Sequence, residues 1–289
     1  VPSLCHGVIT MSDPHLAPLR LNGREIGPRA IMAVVNRTPD SFFDKGATYA
    51  FDAALDAAGR AVEDGADIID IGGVKAGPGE DVGVAEELRR VVDLVAAVRD
   101  RYPTVVISVD TWRAEVGEAV ARAGADLLND TWGGPDPRLA EVAAAHGIGL
   151  VCSHAGALDP RTRPHRIGYG DVMADVIGHV TAEAERAVAL GVRRDAILID
   201  PAHDFGKNTR HSLEISRRLG EMTATGWPVL VAVSNKDFIG ETLGRPVDKR
   251  GAGTLAVLGV SAWLGARVFR VHDVPAARSA LTAVQALTP

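Results

Sequence analysis

Short apolar, β-branched runs recur along this chain at near-even intervals: AIMAVV (30–35), DIIDI (67–71), TVVISV (104–109), ADLL (125–128), IGLVC (148–152), AILI (196–199), PVLVAV (228–233) and ARVFRV (266–271). Each is nearly continuous in hydrophobicity, the pattern of strands buried on both faces. Between them, stretches such as AALDAAGRAVEDG, EELRRVVDLVAAVRD and RAEVGEAVARAG carry apolar residues three and four apart and predict helices. Gly65-Ala66-Asp67, Gly124-Ala125-Asp126 and Gly265-Ala266-Arg267 stand just before strands, where glycine suits the position after a helix. Eight strands alternating with helices imply a parallel sheet with right-handed crossovers.

Two architectures compete for this pattern. A closed barrel accommodates eight strand–helix units in about 250 residues. An open doubly wound sheet usually shows a glycine-rich phosphate loop after its first strand. Here the first strand runs into Asn36-Arg37-Thr38-Pro39-Asp40. Phe205-Gly206-Lys207-Asn208 resembles the end of a phosphate loop but lacks the upstream glycine and the Ser/Thr. The prediction is therefore an α/β fold, a (β/α)8 TIM barrel. Residues 1–20 read as an N-terminal tail and 21–289 as a single barrel domain. LRLNGREIG (19–27) reads as a hairpin turning at Asn22-Gly23, placed to plug the bottom of the barrel.

Composition narrows the class. The chain has 289 residues, and its net charge of −6 argues against a dedicated nucleic-acid binder. No apolar run is long enough to span a bilayer, so no membrane partner is expected. VPSLCHGVIT lacks the regions of a secretory signal, and Met11 offers an alternative start. Cys5 and Cys152 lie far apart in sequence and argue for a reducing, cytoplasmic setting.

Barrel active sites lie at the C-terminal ends of the strands. The runs end, in order, at Asn36, the Gly72-Gly73 loop, Asp110-Thr111, Asn129-Asp130, Ser153-His154, Asp200, Ser234-Asn235-Lys236, and Arg270 with His272. Singly, Asp110 and Asp130 read equally well as helix caps. Together, seven polar strand ends and the glycine loop would converge on one cup. Arg270 and His272 share a face of the last strand, and two basic groups near the axis need an anionic partner or ligand. A salt bridge to a neighbouring acid is the plain alternative for Arg270. Asp200 can accept paired hydrogen bonds from an amidine-like edge, or can pair with Lys236 or Arg270. Cys152 and His154 lack the companions a zinc site needs. His203 is as readily a surface histidine as a functional one, and Trp112 and Trp132 read as packing residues.

These residues resemble the dihydropteroate synthase family over nearly the whole barrel. The resemblance rests on Asn36-Arg37-Thr38-Pro39-Asp40-Ser41-Phe42, Asp70-Ile71-Gly72-Gly73, Ser108-Val109-Asp110-Thr111, Asn129-Asp130, Asp200-Pro201 with Phe205-Gly206-Lys207, Ser234 with Lys236 and Phe238-Ile239-Gly240, Gly253-Thr254-Leu255-Ala256, and Arg270-Val271-His272. It implies a (β/α)8 barrel, usually homodimeric, that joins a dihydropterin pyrophosphate to 4-aminobenzoate with the help of Mg2+. It further implies that Asp110, Asn129, Asp200 and Lys236 bind the pterin. Asn36, Arg270 and His272 would then hold the pyrophosphate, with Asn36 near the metal.

The second half of the site departs from the family pattern. Val74-Lys75-Ala76-Gly77-Pro78-Gly79 stands where the family has Glu-Ser-Thr-Arg-Pro-Gly. Ser234-Asn235-Lys236-Asp237 replaces Ser-Arg-Lys-Ser, which puts Asp237 at the helix end that holds the benzoate carboxylate in the family. Ala202-His203-Asp204 replaces Gly-Ile-Gly, and Ser153-His154-Ala155-Gly156 replaces a His-Met-Arg-Gly type run. The chain therefore resembles a divergent second branch of the family, found in actinobacteria. The expectation is a small-molecule pterin ligand without the ordinary synthase reaction. The alternatives are a working synthase, a transferase using another amine with Lys75 in place of the lost arginine, and a non-catalytic partner subunit.

Overall fold

The computed structural model describes residues 18–21, 23–38, 48–77, 79, 81–162 and 168–287. Cys5, Met11, Asn22, Pro78 and the Pro39–Phe42 part of the first motif lie outside these residues. A short antiparallel hairpin opens the fold, β1 (Leu19–Leu21) and β2 (Arg24–Ile26). The hairpin begins inside the stretch that the sequence assigns to the tail. Eight parallel strands follow: β3 (Ala30–Asn36), β4 (Ile68–Gly72), β5 (Val106–Asp110), β6 (Leu127–Asp130), β7 (Gly149–Ser153), β8 (Ile197–Asp200), β9 (Leu230–Val231) and β10 (Val268–Val271). The intervening helices are α1 (Phe51–Glu63), α2 (Val84–Arg101), α3 (Ala114–Ala123), α4 (Arg138–His146), α5 (Val172–Leu190), α6 (Thr209–Thr223), α7 (Asp237–Leu243) and α8 (Gly251–Trp263), with α9 (Val274–Leu287) after the last strand.

The strand order is β8-β7-β6-β5-β4-β3-β10-β9, and a parallel bridge from Ile199 to Val229 closes the ring. An open sheet has no such closure, so the barrel prediction holds and the doubly wound alternative falls. The ladder is thinnest at β9. The run 228–233 yields only two strand residues, because Pro228 has no N–H to donate and the chain leaves the ladder towards the site loop, where Asn235 takes φ +56°.

Continuous hydrophobicity follows from burial on both faces. Ile31, Ile69, Ile107 and Leu128 face the helical layer, while Met32, Ile68, Val106, Leu127, Leu198 and Val268 fill the barrel's lower interior. Leu19 and Leu21 of the hairpin join that inner cluster, so the hairpin is the expected plug. Arg24 ties it to the rim through Asp126 at 3.1 Å and the Pro103 carbonyl at 2.6 Å. In α2, Val91, Leu94, Val95 and Val98 form one buried stripe, each side chain worth about 1.5–3 kcal/mol of burial. Gly124 (φ +109°) and Gly265 (φ +99°) take the left-handed conformation expected of them. Among the described residues no helix is long and apolar enough to cross a membrane.

Candidate functional site

A cavity opens at the C-terminal mouth of the barrel. Asn36, Asp110, Asp200, Lys236, Arg270 and His272 all line it, so six of the seven residues singled out in the sequence meet there. Asn129 does not reach the surface. It lies fully buried beneath, its Nδ2 3.4 and 3.3 Å from the two oxygens of Asp70. Its Oδ1 has no hydrogen-bond partner, the kind of orphan a buried polar group seldom retains.

Arg270 has its anionic partners within the protein. Its Nε lies 2.6 Å from Asp70 Oδ2 and its Nη2 3.1 Å from Asp110 Oδ2. The plain alternative raised for Arg270 is thus realised in this structure. Asp70 is completely buried, and its other oxygen accepts from Ser108 Oγ at 2.6 Å. Asp70 belongs to the Asp70-Ile71-Gly72-Gly73 motif, from which the sequence alone implies no role for it. The available signal was an acid in the middle of an otherwise apolar strand. Burial pushes the Asp110 carboxyl up to about 7 against the pull of Arg270, and the neighbouring Asp70 charge adds to the rise. Thr131 Oγ1 donates to Asp110 Oδ1 at 3.2 Å.

Asp200 sits on the cavity floor, where Oδ1 accepts the Ala202 N–H at 2.8 Å. Burial raises it to about 6, opposed by that N–H and by the charges of Lys236, Lys207 and Arg270. Neither Lys236 nor Arg270 closes an ion pair with it. The Lys236 ammonium lies 4.3 Å from the Phe205 ring centroid, a cation–π contact. Burial lowers its pKa, and Asp204 counters this more than any other carboxylate. His272 is oriented by Ser234, whose Oγ lies 3.0 Å from Nδ1 and 3.3 Å from the His272 N–H.

The loops after β3 and β4 are strapped to α2. The Arg37 N–H donates to the Gly72 carbonyl at 2.7 Å, and its Nη1 reaches the Arg90 carbonyl at 2.8 Å. Arg90 Nη1 in turn holds the Gly73 carbonyl at 2.9 Å. Asn36 lies over Gly72 so closely that an added Cβ would sit 2.9 Å from Asn36 Oδ1. Val74, Lys75 and Ala76 follow directly and form one wall of the cavity.

The loop after β8 differs most from expectation. His203 is fully buried and not a surface residue. Its ring stacks on Phe238 at 5.4 Å and its Nε2 lies 3.1 Å from Ser216 Oγ. Burial pushes it down to about 3, so it is neutral. Asp237 opens α7, as the sequence places it, but its side chain is 80% exposed and turns to the mostly buried Arg250 guanidinium at 2.8 Å. The carboxylate that accepts from the first turn of α7 is Asp204, whose Oδ2 lies 3.3 Å from the Phe238 N–H. Lys207, also buried, donates to the carbonyls of His154 (2.6 Å), Phe205 (2.8 Å) and Ala202 (3.2 Å) and staples two site loops together. Trp132 packs edge-on against Phe205 at 5.0 Å, and Trp112 lies under the Arg113 guanidinium. Among the described residues no group of three His, Cys, Asp or Glu side chains could hold a metal ion.

This arrangement can bind a planar, nitrogen-rich ring through buried acids and an amide, beside a cationic corner for an anion. The fold agrees with that of known proteins. The family model described as pterin binding enzyme matches residues 32–272. The chain is 58% identical over 273 residues to "Inactive dihydropteroate synthase 2" of Mycobacterium tuberculosis, covering 92% of this chain and 86% of that protein. It is 37% identical over 262 residues to the dihydropteroate synthase of Bacillus subtilis, covering 90% and 88%. The solved Yersinia pestis dihydropteroate synthase, in complex with a sulfonamide drug, superposes with a TM-score of 0.88 at 36% identity, covering 93% of this chain and 98% of that one. The chain belongs to the dihydropteroate synthase family of pterin-binding enzymes.

Proposed function

We propose that this chain binds a dihydropterin pyrophosphate-like ligand and does not carry out the ordinary synthase reaction. Asp110, Asn129, Asp200 and Lys236 bind the pterin in this reading, and Asn36, Arg270 and His272 take the pyrophosphate. The observation that carries it is the split within one cavity. Six of the seven pterin and phosphate candidates line it, all but the buried Asn129, while Val74-Lys75-Ala76 and Ala202 stand in its wall where donors are expected around a second substrate. The likeness to the inactive mycobacterial protein, at 58% against 37% for the Bacillus synthase, supports the same reading.

Mg2+ fits as an ion shared with the ligand. Magnesium is commonly held by one or two protein oxygens together with substrate phosphates and water. Asn36 would supply the protein oxygen here. When bound, the ion would offset the charge of the pyrophosphate. The reading also includes a cytoplasmic homodimer, for which the exposed Leu243, Val260 and Trp263 on the adjoining α7 and α8 offer apolar surface. A second reading, a transferase using another amine, is favoured by Lys75 in the cavity wall.

Calorimetric titration with the dihydropterin pyrophosphate, with and without Mg2+, tests the proposal. Micromolar binding without turnover on 4-aminobenzoate is expected. Synthase turnover at ordinary enzyme rates, or no binding at all, refutes it.

A further inference from the structure

We propose that Lys236 forms an imine with a flat aromatic aldehyde that carries an anionic group. This chemistry is separate from the synthase reaction and independent of the pterin reading above.

Lys236 lines the cavity, and its Nζ lies 4.3 Å from the Phe205 ring centroid. Among the described residues that nitrogen makes no ion pair and no hydrogen bond. The acids around it have donors of their own. Asp200 Oδ1 accepts the Ala202 N–H at 2.8 Å. Asp204 accepts from Ser212 Oγ at 3.0 Å and from the Phe238 N–H at 3.3 Å. Asp237 pairs with Arg250 at 2.8 Å. The aromatic face therefore positions the nitrogen with no carboxylate in contact to keep it protonated. Burial favours the neutral amine against the pull of Asp204, and the charge of Arg270 acts on the same side as burial. A desolvated lysine facing a cavity is the usual nucleophile for carbonyl compounds. Its support is rigid: the Asn235 N–H donates to Thr254 Oγ1 at 3.0 Å, and the Asn235 carbonyl accepts from Arg250 Nη1 at 2.8 Å. Lys207 gives the contrast. It is also buried, but its ammonium is spent on three carbonyls and it does not line the cavity.

The lining sets the class of carbonyl compound. Phe205, Ala202 and Ala232 suit a flat ring, and Asn36, Lys75 and His272 in the same lining suit an anionic group. The neutral amine adds its lone pair to the carbonyl carbon, forming a C–N bond as the C=O π bond opens. A proton passes from nitrogen to oxygen and gives a carbinolamine. Asp200, on the cavity floor and raised by burial to about 6, is the acid that protonates the departing hydroxyl. Water leaves, C=N forms, and the last nitrogen proton returns to the carboxylate. Nothing is oxidised or reduced.

The test incubates the full chain with pyridoxal 5′-phosphate, reduces it with borohydride and maps the adduct by peptide mass spectrometry. Reduction turns the imine into a stable secondary amine. The adduct is expected on Lys236, in excess of that on the exposed Lys249 by at least about tenfold. Lys236→Arg, checked for folding by circular dichroism, should lose the adduct, and the wild-type map decides the matter alone if the variant fails to fold. Pyridine-4-carbaldehyde, which lacks the phosphate, should show a preference for Lys236 over Lys249 lower by about tenfold. No adduct on Lys236, even labelling of Lys236 and Lys249, or a principal adduct on Lys75 or Lys207 each overturns the proposal. An undiminished preference with the uncharged aldehyde overturns the anionic class assigned to the ligand.

Discussion

Replacing Arg270 with methionine keeps the length of the side chain and removes its charge. Asp70, fully buried, then loses its 2.6 Å partner, and Asp110 loses one at 3.1 Å. Breaking a buried pair by removing one member costs about 3–5 kcal/mol, because a charge is left without compensation. In a chain of this size that amounts to a fall in Tm on the order of 5–8 °C. The cost should also depend on pH. Burial holds the folded-state pKa of Asp110 at about 7, above its ordinary value of 3.8. In that window the folded state binds more protons than the unfolded state, so the contribution of Asp110 to stability falls as pH rises from about 4 to about 7. Arg270 opposes that rise, so its loss moves the folded pKa higher and extends the window upward. Below pH 6 both proteins carry a protonated Asp110, and the substitution removes only the Asp70 pair. At pH 8 only the wild type has the charged form, which adds about 1.4 kcal/mol of difference per unit above 7. Urea denaturation of both proteins at pH 5.5, 7 and 8 reads this directly. A variant within 1 kcal/mol of wild type at every pH refutes the buried triad, and a large but pH-independent loss refutes the role given to Asp110.

Two further outcomes follow from the geometry. Gly72→Ala should push the Asn36 side chain aside and weaken pyrophosphate binding by about tenfold while leaving binding of the unphosphorylated pterin unchanged, as separate titrations of the two ligands would show. Leu21→Ala should cost about 2–5 kcal/mol in chemical denaturation by opening a void in the lower interior, with ligand affinity at the opposite end preserved.

The architecture was legible because burial on both faces leaves a plain mark. Runs such as AIMAVV and DIIDI cannot belong to a half-exposed sheet, and their spacing leaves room for one helix each. Even the bottom plug could be read, since Leu19 and Leu21 alternate with polar neighbours. Convergence of the strand-end residues follows from the barrel itself. What pattern could not supply was partner choice within the cup. Arg270 had several acids in reach, and only packing decided for Asp70 and Asp110. The α7 side shows the same limit. Adjacency in sequence favoured Asp237 as the carboxylate at that helix, but the side chain of a first-turn residue projects outward, and a residue more than thirty positions earlier reaches the N–H instead. His203 was ambiguous because burial of a single polar residue in a glycine-poor loop has no periodic signature.

The strap joining Arg37, Arg90 and the two glycine carbonyls has a consequence for how such a site changes over generations. The path of the cavity wall is dictated from behind, by a helix that contributes no residue to the cavity lining. An added Cβ at Gly73 would lie 2.8 Å from Val91, so the helix enforces that path from its own side chains. Side chains facing the ligand can then be exchanged one by one without the wall moving. A chain built this way can part with a reaction and retain the mould in which it took place, leaving a ready-shaped space for selection to furnish with a different chemistry.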